Sequence, residues 1–445
     1  MQRFIMAATV LLLGAPALPS TAEEHKATTD ADIRELATSF VQRLVKGKFA
    51  RAVKDFDATM TKVMSAAELE ETWKVQLGRY GALKKQLGSR VEKIGKYDVV
   101  HVACQFEKQT VDTRVVFNHD KQIAGLFFIA DYEAPAYVRR AAFRERKLTV
   151  GTGEWALPGT LALPVGDGPF PAVVLVHGSG PHDRDESIGP NKPFRDLAWG
   201  LASRGIAVLR YEKRTKAHAA KLKSGHEAIT VKEEVLDDAL AAVALLRKTD
   251  KIDSAKVFVL GHSLGATCAP RLATLDPHIA GLICLAGTTR PLEEVIVEQL
   301  DYILSLGGHT DEQKKEMEKM RRLAAGLKGE KLTADTPAAK LPPGITAVYL
   351  LSLRECAPLD VARRIKQPML ILQGERDYQV TMTDFDGWKK ALAARRNVSL
   401  KSYANLNHLF MEGKGKAKPA EYNKTGHVAA VVIDDIAEWV KTQGR

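Results

Sequence analysis

Apolar residues at Ile33, Leu36, Ala37, Phe40, Val41, Leu44 and Val45 recur with the three-and-four spacing of an amphipathic helix. Ser65 with Glu68 three positions on has the form of a capping box, opening a second helical run through Trp73 and Leu77. The period then changes to two. Val100, Val102, Cys104 and Phe106 fall on one face of a strand. Strand-like runs at 113–117 and 122–129 follow, separated by the turn Asn118-His119-Asp120-Lys121. Helices followed by paired strands predict a small α+β domain over residues 28–131. It carries no catalytic constellation, and its lone histidines, His101 and His119, read as structural or solvated.

From residue 140 onward the pattern is strand–helix alternation. Strand-like runs stand at 147–150, 156–163, 172–176, 207–211, 257–260, 281–286, 369–373 and 399–403, with helical stretches at 194–204, 231–248 and 384–394. Most of the later strands are continuous apolar runs, as parallel strands covered on both faces require. This predicts an α/β fold over 140–445. One crossover is too long for a simple connection. Residues 288–366, partly helical and charged as in 311–327, are expected to form a cap over the site.

The chemistry centres on Gly261-His262-Ser263-Leu264-Gly265, which follows the apolar run 256–260 and precedes a small-residue helix. A nucleophile elbow needs that strand–turn–helix context. The turn strains the serine and lifts its hydroxyl above the sheet edge, and neighbouring side chains must vanish to let strand and helix approach. Ser263 is therefore the candidate nucleophile. Serine needs a base, and the base needs an orienting acid. In the chain order Ser, acid, His, the acid is Asp377 in Gln373-Gly374-Glu375-Arg376-Asp377, with Glu375 as the competitor. The base is His408, just after the last strand. An oxyanion requires backbone donors. The amide of Leu264, after the nucleophile, is one. The loop His177-Gly178-Ser179-Gly180 supplies the other, assigned to Ser179.

These residues resemble the α/β-hydrolase family, in the subgroup of exported bacterial carboxylesterases. The most specific segment runs from His177 to Glu186, through Pro190–Arg195, to Tyr211-Glu212-Lys213-Arg214. The first domain resembles the small NTF2-like (DUF3887-type) domain that precedes some of these hydrolases. The resemblance implies Ser263, Asp377 and His408 as the triad and a helical cap insertion in an α/β-hydrolase fold. The expected substrate is a small-molecule ester, with no cofactor; which ester is not carried over from the resemblance. Thioester, amide or peptide cleavage by the same triad is the alternative. A binding protein without catalysis is a third reading, against which the complete triad speaks.

Composition narrows the setting. The 445-residue chain is 45% hydrophobic and 27% charged, which suits two globular domains. Its net charge of +11 is scattered rather than gathered in basic blocks, which argues against nucleic acid as a partner. Residues 1–22 read as a cleaved signal peptide: a basic start, an apolar stretch from Phe4 to Leu18, and small residues to Ala22. No later segment is apolar enough to be an integral membrane span. Cys104, Cys268, Cys284 and Cys356 show neither paired spacing nor a metal-ligand pattern. Disulfide pairing stays open. His182, Asp183, Asp185 and Glu186 form an acidic loop cluster for which no metal is expected; Asp183 and Arg184 are expected to pair within it.

Overall fold

The computed structural model describes residues 30–130, 132–224, 229–328 and 332–443. The expected signal peptide lies outside them. The chain divides into two compact units at Glu133/Ala134, between the expected domain edges.

In the first unit the helices Asp30–Val45 and Ala66–Tyr80 are followed by a four-stranded antiparallel sheet. Its strands are β1 (Leu83–Ile94), β2 (Tyr97–Phe106), β3 (Thr110–Phe117) and β4 (Ile123–Ala130), paired in that order. The capping box forms: Ser65 Oγ accepts from the Glu68 amide at 3.3 Å, and Glu68 accepts from the Ser65 amide at 2.7 Å. Phe40, Trp73, Val100, Val102, Cys104 and Phe106 meet in one core. Strand β1 was not anticipated. Most of its side chains are exposed, and pairing with β2 rather than burial holds it in place. His101 is buried on the opposite face from Val100 and Val102, between Asp112 at 2.8 Å and Glu92 at 3.1 Å.

The second unit is built on eight strands: β5 (Phe143–Val150), β6 (Leu157–Pro164), β7 (Phe170–Val176), β8 (Ala207–Tyr211), β9 (Ile252–His262), β10 (Leu282–Leu285), β11 (Met369–Gly374) and β12 (Val398–Tyr403). Their order is β12-β11-β10-β9-β7-β8-β6-β5, antiparallel only at β5/β6 and β6/β8. Alternate residues of β7 feed two different cores: Val174 and Val176 one, Val173 and Leu175 the other. Burying each such side chain contributes roughly 1.5–3 kcal/mol, so the apolar runs lock the register. Because β7, β9, β10, β11 and β12 are parallel, their carboxyl ends emerge at one sheet edge. That edge is where open α/β sheets place ligands.

Between β10 and β11 the described residues include the α-helices Leu292–Ser305, Asp311–Gly326, Ala347–Arg354 and Pro358–Arg364. The helix Asp311–Gly326 buries only Met317 and Ala324, so its charges form a solvated face. One expected helix differs at its start: the 231–248 segment opens with a π turn, Lys232–Leu236, before the α-helix Asp237–Arg247. The last helix runs from Ala430 to Thr442, and Asp196 holds His427 and the Val428 amide in the loop before it. All four cysteines are buried free thiols, with the Sγ atoms of Cys268 and Cys356 3.3 Å apart. Among the described residues, no helix is long and apolar enough to cross a membrane.

Candidate active site

Ser263 joins β9 to the helix Leu264–Leu275 with φ 52° and ψ −114°, a strained conformation for a side-chain-bearing residue. Its amide donates to the Leu285 carbonyl at 2.9 Å and its carbonyl accepts from the Thr267 amide at 3.0 Å, so strand and helix both hold the turn. A Cβ on Gly261 would lie 2.2 Å from the Gly265 carbonyl carbon, and one on Gly265 would lie 2.2 Å from the Val176 oxygen. Both glycines are imposed by backbone contact. Leu264 is the first residue of the helix, so its amide belongs to the unsatisfied N-terminal set.

Asp377 and His408 meet from two other loops of the same edge. Nδ1 of His408 lies 2.6 Å from Oδ2 of Asp377, with both side chains buried. Asp377 also accepts from the Gln379 amide at 2.7 Å, the Val380 amide at 3.2 Å and Gln373 Nε2 at 3.3 Å. These donors anchor the carboxylate. The His408 loop is held by Asn407, whose Oδ1 accepts from the amides of Leu409 and Met411. Glu375 takes no part: it is exposed and accepts from Ser402 Oγ at 2.7 Å.

The loop after β7 passes directly over the elbow. A Cβ on Gly178 would sit 3.1 Å from Ser263 Cβ. The Gly178 amide donates to Glu186 Oε1 at 2.6 Å, and its carbonyl accepts from Lys213 Nζ at 2.7 Å. The next amide, that of Ser179, is therefore the one presented at this point of the loop. His177 stays neutral, its pKa pushed down to about 3 by burial. Neither Glu186 nor Lys213 was singled out by sequence. Glu186 stood in the acidic cluster and Lys213 in the Tyr211–Arg214 run. Their burial, 1% and 2% exposed, is what marks them. Within the cluster, Asp183 and Arg184 do not pair. Asp183 accepts from Ser187 and the Asp185 amide, while Arg184 reaches Glu212 at 2.7 Å. Among the described residues no group of three or more His, Cys, Asp or Glu is arranged to hold a metal.

His262, inside the elbow, does not face the chemistry of its neighbour. Its Nε2 donates to the His408 carbonyl at 2.9 Å, and its Nδ1 lies 3.0 Å from Glu186. The inserted helix Leu292–Ser305 leans on the loop that follows Asp377. Gln299 donates to the Gln379 carbonyl at 2.8 Å, and the rings of Tyr302 and Tyr378 lie 5.4 Å apart. A cavity of about 570 Å³ opens beside the His408 loop between Arg376, Asn407, Met411 and His427. Its lining includes neither Ser263 nor His408.

A family model described as serine aminopeptidase, S33, matches residues 168–414, and one described as a protein of unknown function (DUF3887) matches residues 37–126. Esterase EstD of Thermotoga maritima is 39% identical over 414 residues, 90% of this chain and 93% of that protein. Esterase FrsA of Escherichia coli O157:H7 is 28% identical over 162 residues, 36% of each chain. Among solved structures, Est1E from Butyrivibrio proteoclasticus superposes with a TM-score of 0.43 at 17% identity, over 67% of this chain and 98% of that one. The chain belongs to the serine α/β-hydrolase family, with a DUF3887 domain ahead of its hydrolase domain.

Proposed function

We propose that the protein is an exported serine carboxylesterase acting through Ser263, His408 and Asp377. The observation that carries this reading is the buried 2.6 Å contact of His408 with Asp377 at the sheet edge that also holds the strained Ser263. With Nδ1–H directed at Asp377, Nε2 is the free basic nitrogen. It takes the Ser263 proton as Oγ attacks the ester carbonyl, then hands it to the departing alcohol. The acyl group remains on Ser263 until a water, deprotonated by the same nitrogen, releases it as the acid. The Asp377 carboxylate orients the imidazolium. The amides of Ser179 and Leu264 receive the oxyanion in both tetrahedral states. The name of Esterase EstD, similar over nearly its whole length, supports esters as the substrate class.

Hydrolysis of p-nitrophenyl esters from acetate to palmitate by the wild type and Ser263→Ala tests the reading. A fall of ~10³-fold or more in the variant is expected. Wild-type inertness on every chain length would overturn it. The description of the matching family model as serine aminopeptidase favours a second reading, cleavage of aminoacyl amides by the same triad. Aminoacyl p-nitroanilides hydrolysed faster than the esters would select it. Export is tested by N-terminal sequencing of the mature protein, where a start just after Ala22 is expected.

A further inference from the structure

We propose that Lys213 is a positioning residue for the oxyanion hole, its ammonium orienting the Gly178–Ser179 peptide so that the Ser179 amide faces the acyl carbonyl held at Ser263. The proposal rests on the serine-hydrolase reading above and deepens it.

Residue 178 must be glycine to lie this close to the elbow: a Cβ would meet Ser263 Cβ at 3.1 Å and Glu186 Oε1 at 3.2 Å. Glycine is also the residue least able to hold its own dihedrals. A catalytic amide at the next position therefore needs restraint from outside. Two side chains supply it, one on each side of the Gly178 Cα. Glu186 accepts from the Gly178 amide at 2.6 Å, which sets the 177–178 peptide plane. Lys213 donates to the Gly178 carbonyl at 2.7 Å, which sets the 178–179 plane. In a trans peptide the C=O and the following N–H point in opposite directions. An ammonium gripping the Gly178 oxygen thus turns the Ser179 N–H away from itself. Preorganised donors stabilise a developing charge without reorganising at the moment of reaction.

A lysine only 2% exposed is costly unless its charge is balanced. Lys213 is balanced by Glu234 at 2.6 Å, carried on the π turn Lys232–Leu236. The phenol of Tyr349, from the inserted helix Ala347–Arg354, is near enough to Glu234 that its pKa is raised by burial and by the Glu234 charge. The main chain adds a further tie, Lys213 N–H to the His182 carbonyl at 3.1 Å, while His182 lies 2.6 Å from the Ser179 carbonyl. The network converges on one loop and touches none of Ser263, Asp377 or His408.

The test compares Lys213→Met and the double variant Lys213→Met/Glu234→Gln with the wild type. The double variant removes both buried charges together, so it keeps the fold if the single one does not. Three quantities are read: kcat and KM on a p-nitrophenyl ester, inhibition by a boronic acid that forms a tetrahedral adduct on Ser263, and Tm. Expected is a fall in kcat of ~10–10²-fold with KM changed by less than about threefold, and a parallel fall in boronate affinity. Lys213→Arg, which keeps a cation and a donor, should recover part of kcat. A folded double variant with wild-type kcat and boronate affinity would overturn the proposal. Failure of the underlying reading looks different: the wild type itself would neither cleave ester nor bind boronate through Ser263.

Discussion

Glu186 and His262 form a buried ion pair, Oε2 to Nδ1 at 3.0 Å, that ties three loops of the site together. The contact is out of line for a hydrogen bond, so charge rather than direction holds it. The other imidazole nitrogen donates to the His408 carbonyl. The Glu186 carboxylate and the His408 carbonyl face its two nitrogens, which favours the charged form of the ring. Burial alone would lower its pKa, but the Glu186 carboxylate, with the His408 carbonyl and the Asp377 charge, offsets this and raises it above 6.5. Glu186 is buried too, yet the charge of His262 brings it down to about 2. The elbow, the Gly178 loop and the His408 loop meet at this one imidazole.

Stability should follow these two titrations. The lowered pKa of Glu186 gives stabilisation that is present above its ordinary 4.5 and lost as pH falls towards about 2. The raised pKa of His262 gives stabilisation complete below 6.5 and lost as pH climbs through its folded value. Both contributions coincide between 4.5 and 6.5. Glu186→Gln should therefore be less stable than the wild type by about 3 kcal/mol in that window, with the gap narrowing on either side. Melting curves from about pH 3 to about pH 9 measure this. A gap independent of pH would show that the two charges do not act together.

The two carboxylates after β11 should separate cleanly in kinetics. Asp377→Asn removes the charge that orients His408 and should lower kcat by ~10⁴-fold. Glu375→Gln, whose side chain reaches only Ser402 near the surface, should stay within about twofold of the wild type. Equal losses in the two variants would return Glu375 to contention as the acid.

The second domain's strands were legible because parallel strands covered on both faces must be apolar throughout, as at Val173–Val176 and Ile371–Leu372. Ser263 was legible because an elbow demands two glycines at set offsets, and those offsets survive in the chain as a word. Strand β1 was not, since Lys84, Lys85, Arg90 and Glu92 pair through backbone and need no apolar face. Glu186 and Lys213 escaped for another reason. A charged residue in a polar loop looks solvated until its partners arrive, and those partners, His262 and Glu234, come from distant positions. The Asp183–Arg184 pairing failed because adjacent residues in this loop point to different neighbours, Ser187 and Glu212.

Glycine substitutions should divide by what their Cβ would meet. Gly261→Ala and Gly265→Ala place a methyl group 2.2 Å from backbone atoms that cannot move aside. Each should cost more than about 4 kcal/mol and abolish soluble folded protein. Gly78→Ala, exposed in the helix Ala66–Tyr80 with open space around it, should instead stabilise the first unit by about 0.5–1 kcal/mol. Limited proteolysis and thermal melts of the three variants check the ranking.

Cys268 and Cys356 offer a direct measure of how firmly the inserted segment rests on the nucleophile's helix. Cys268 lies within Leu264–Leu275 and Cys356 follows Ala347–Arg354, 88 residues away. Their sulfurs touch at 3.3 Å, and this contact lowers the Cys356 thiol pKa, while the same contact and burial raise that of Cys268. Cys356 should thus attack first when a diazene oxidant such as diamide is added. Cys268 then displaces the adduct, two electrons and two protons pass to the diazene as a hydrazine, and the disulfide closes. Peptide mapping should find the linked pair, and Cys284, pushed up to about 12 by burial, should stay reduced. Closing so long a loop is worth up to about 4.6 kcal/mol in the chain-entropy model, so Tm should rise. Linkage without any gain in Tm would mean that closing the bond costs the native fold as much as it restricts the unfolded chain. Absence of linkage would mean that the two backbones cannot bring the sulfurs closer than contact.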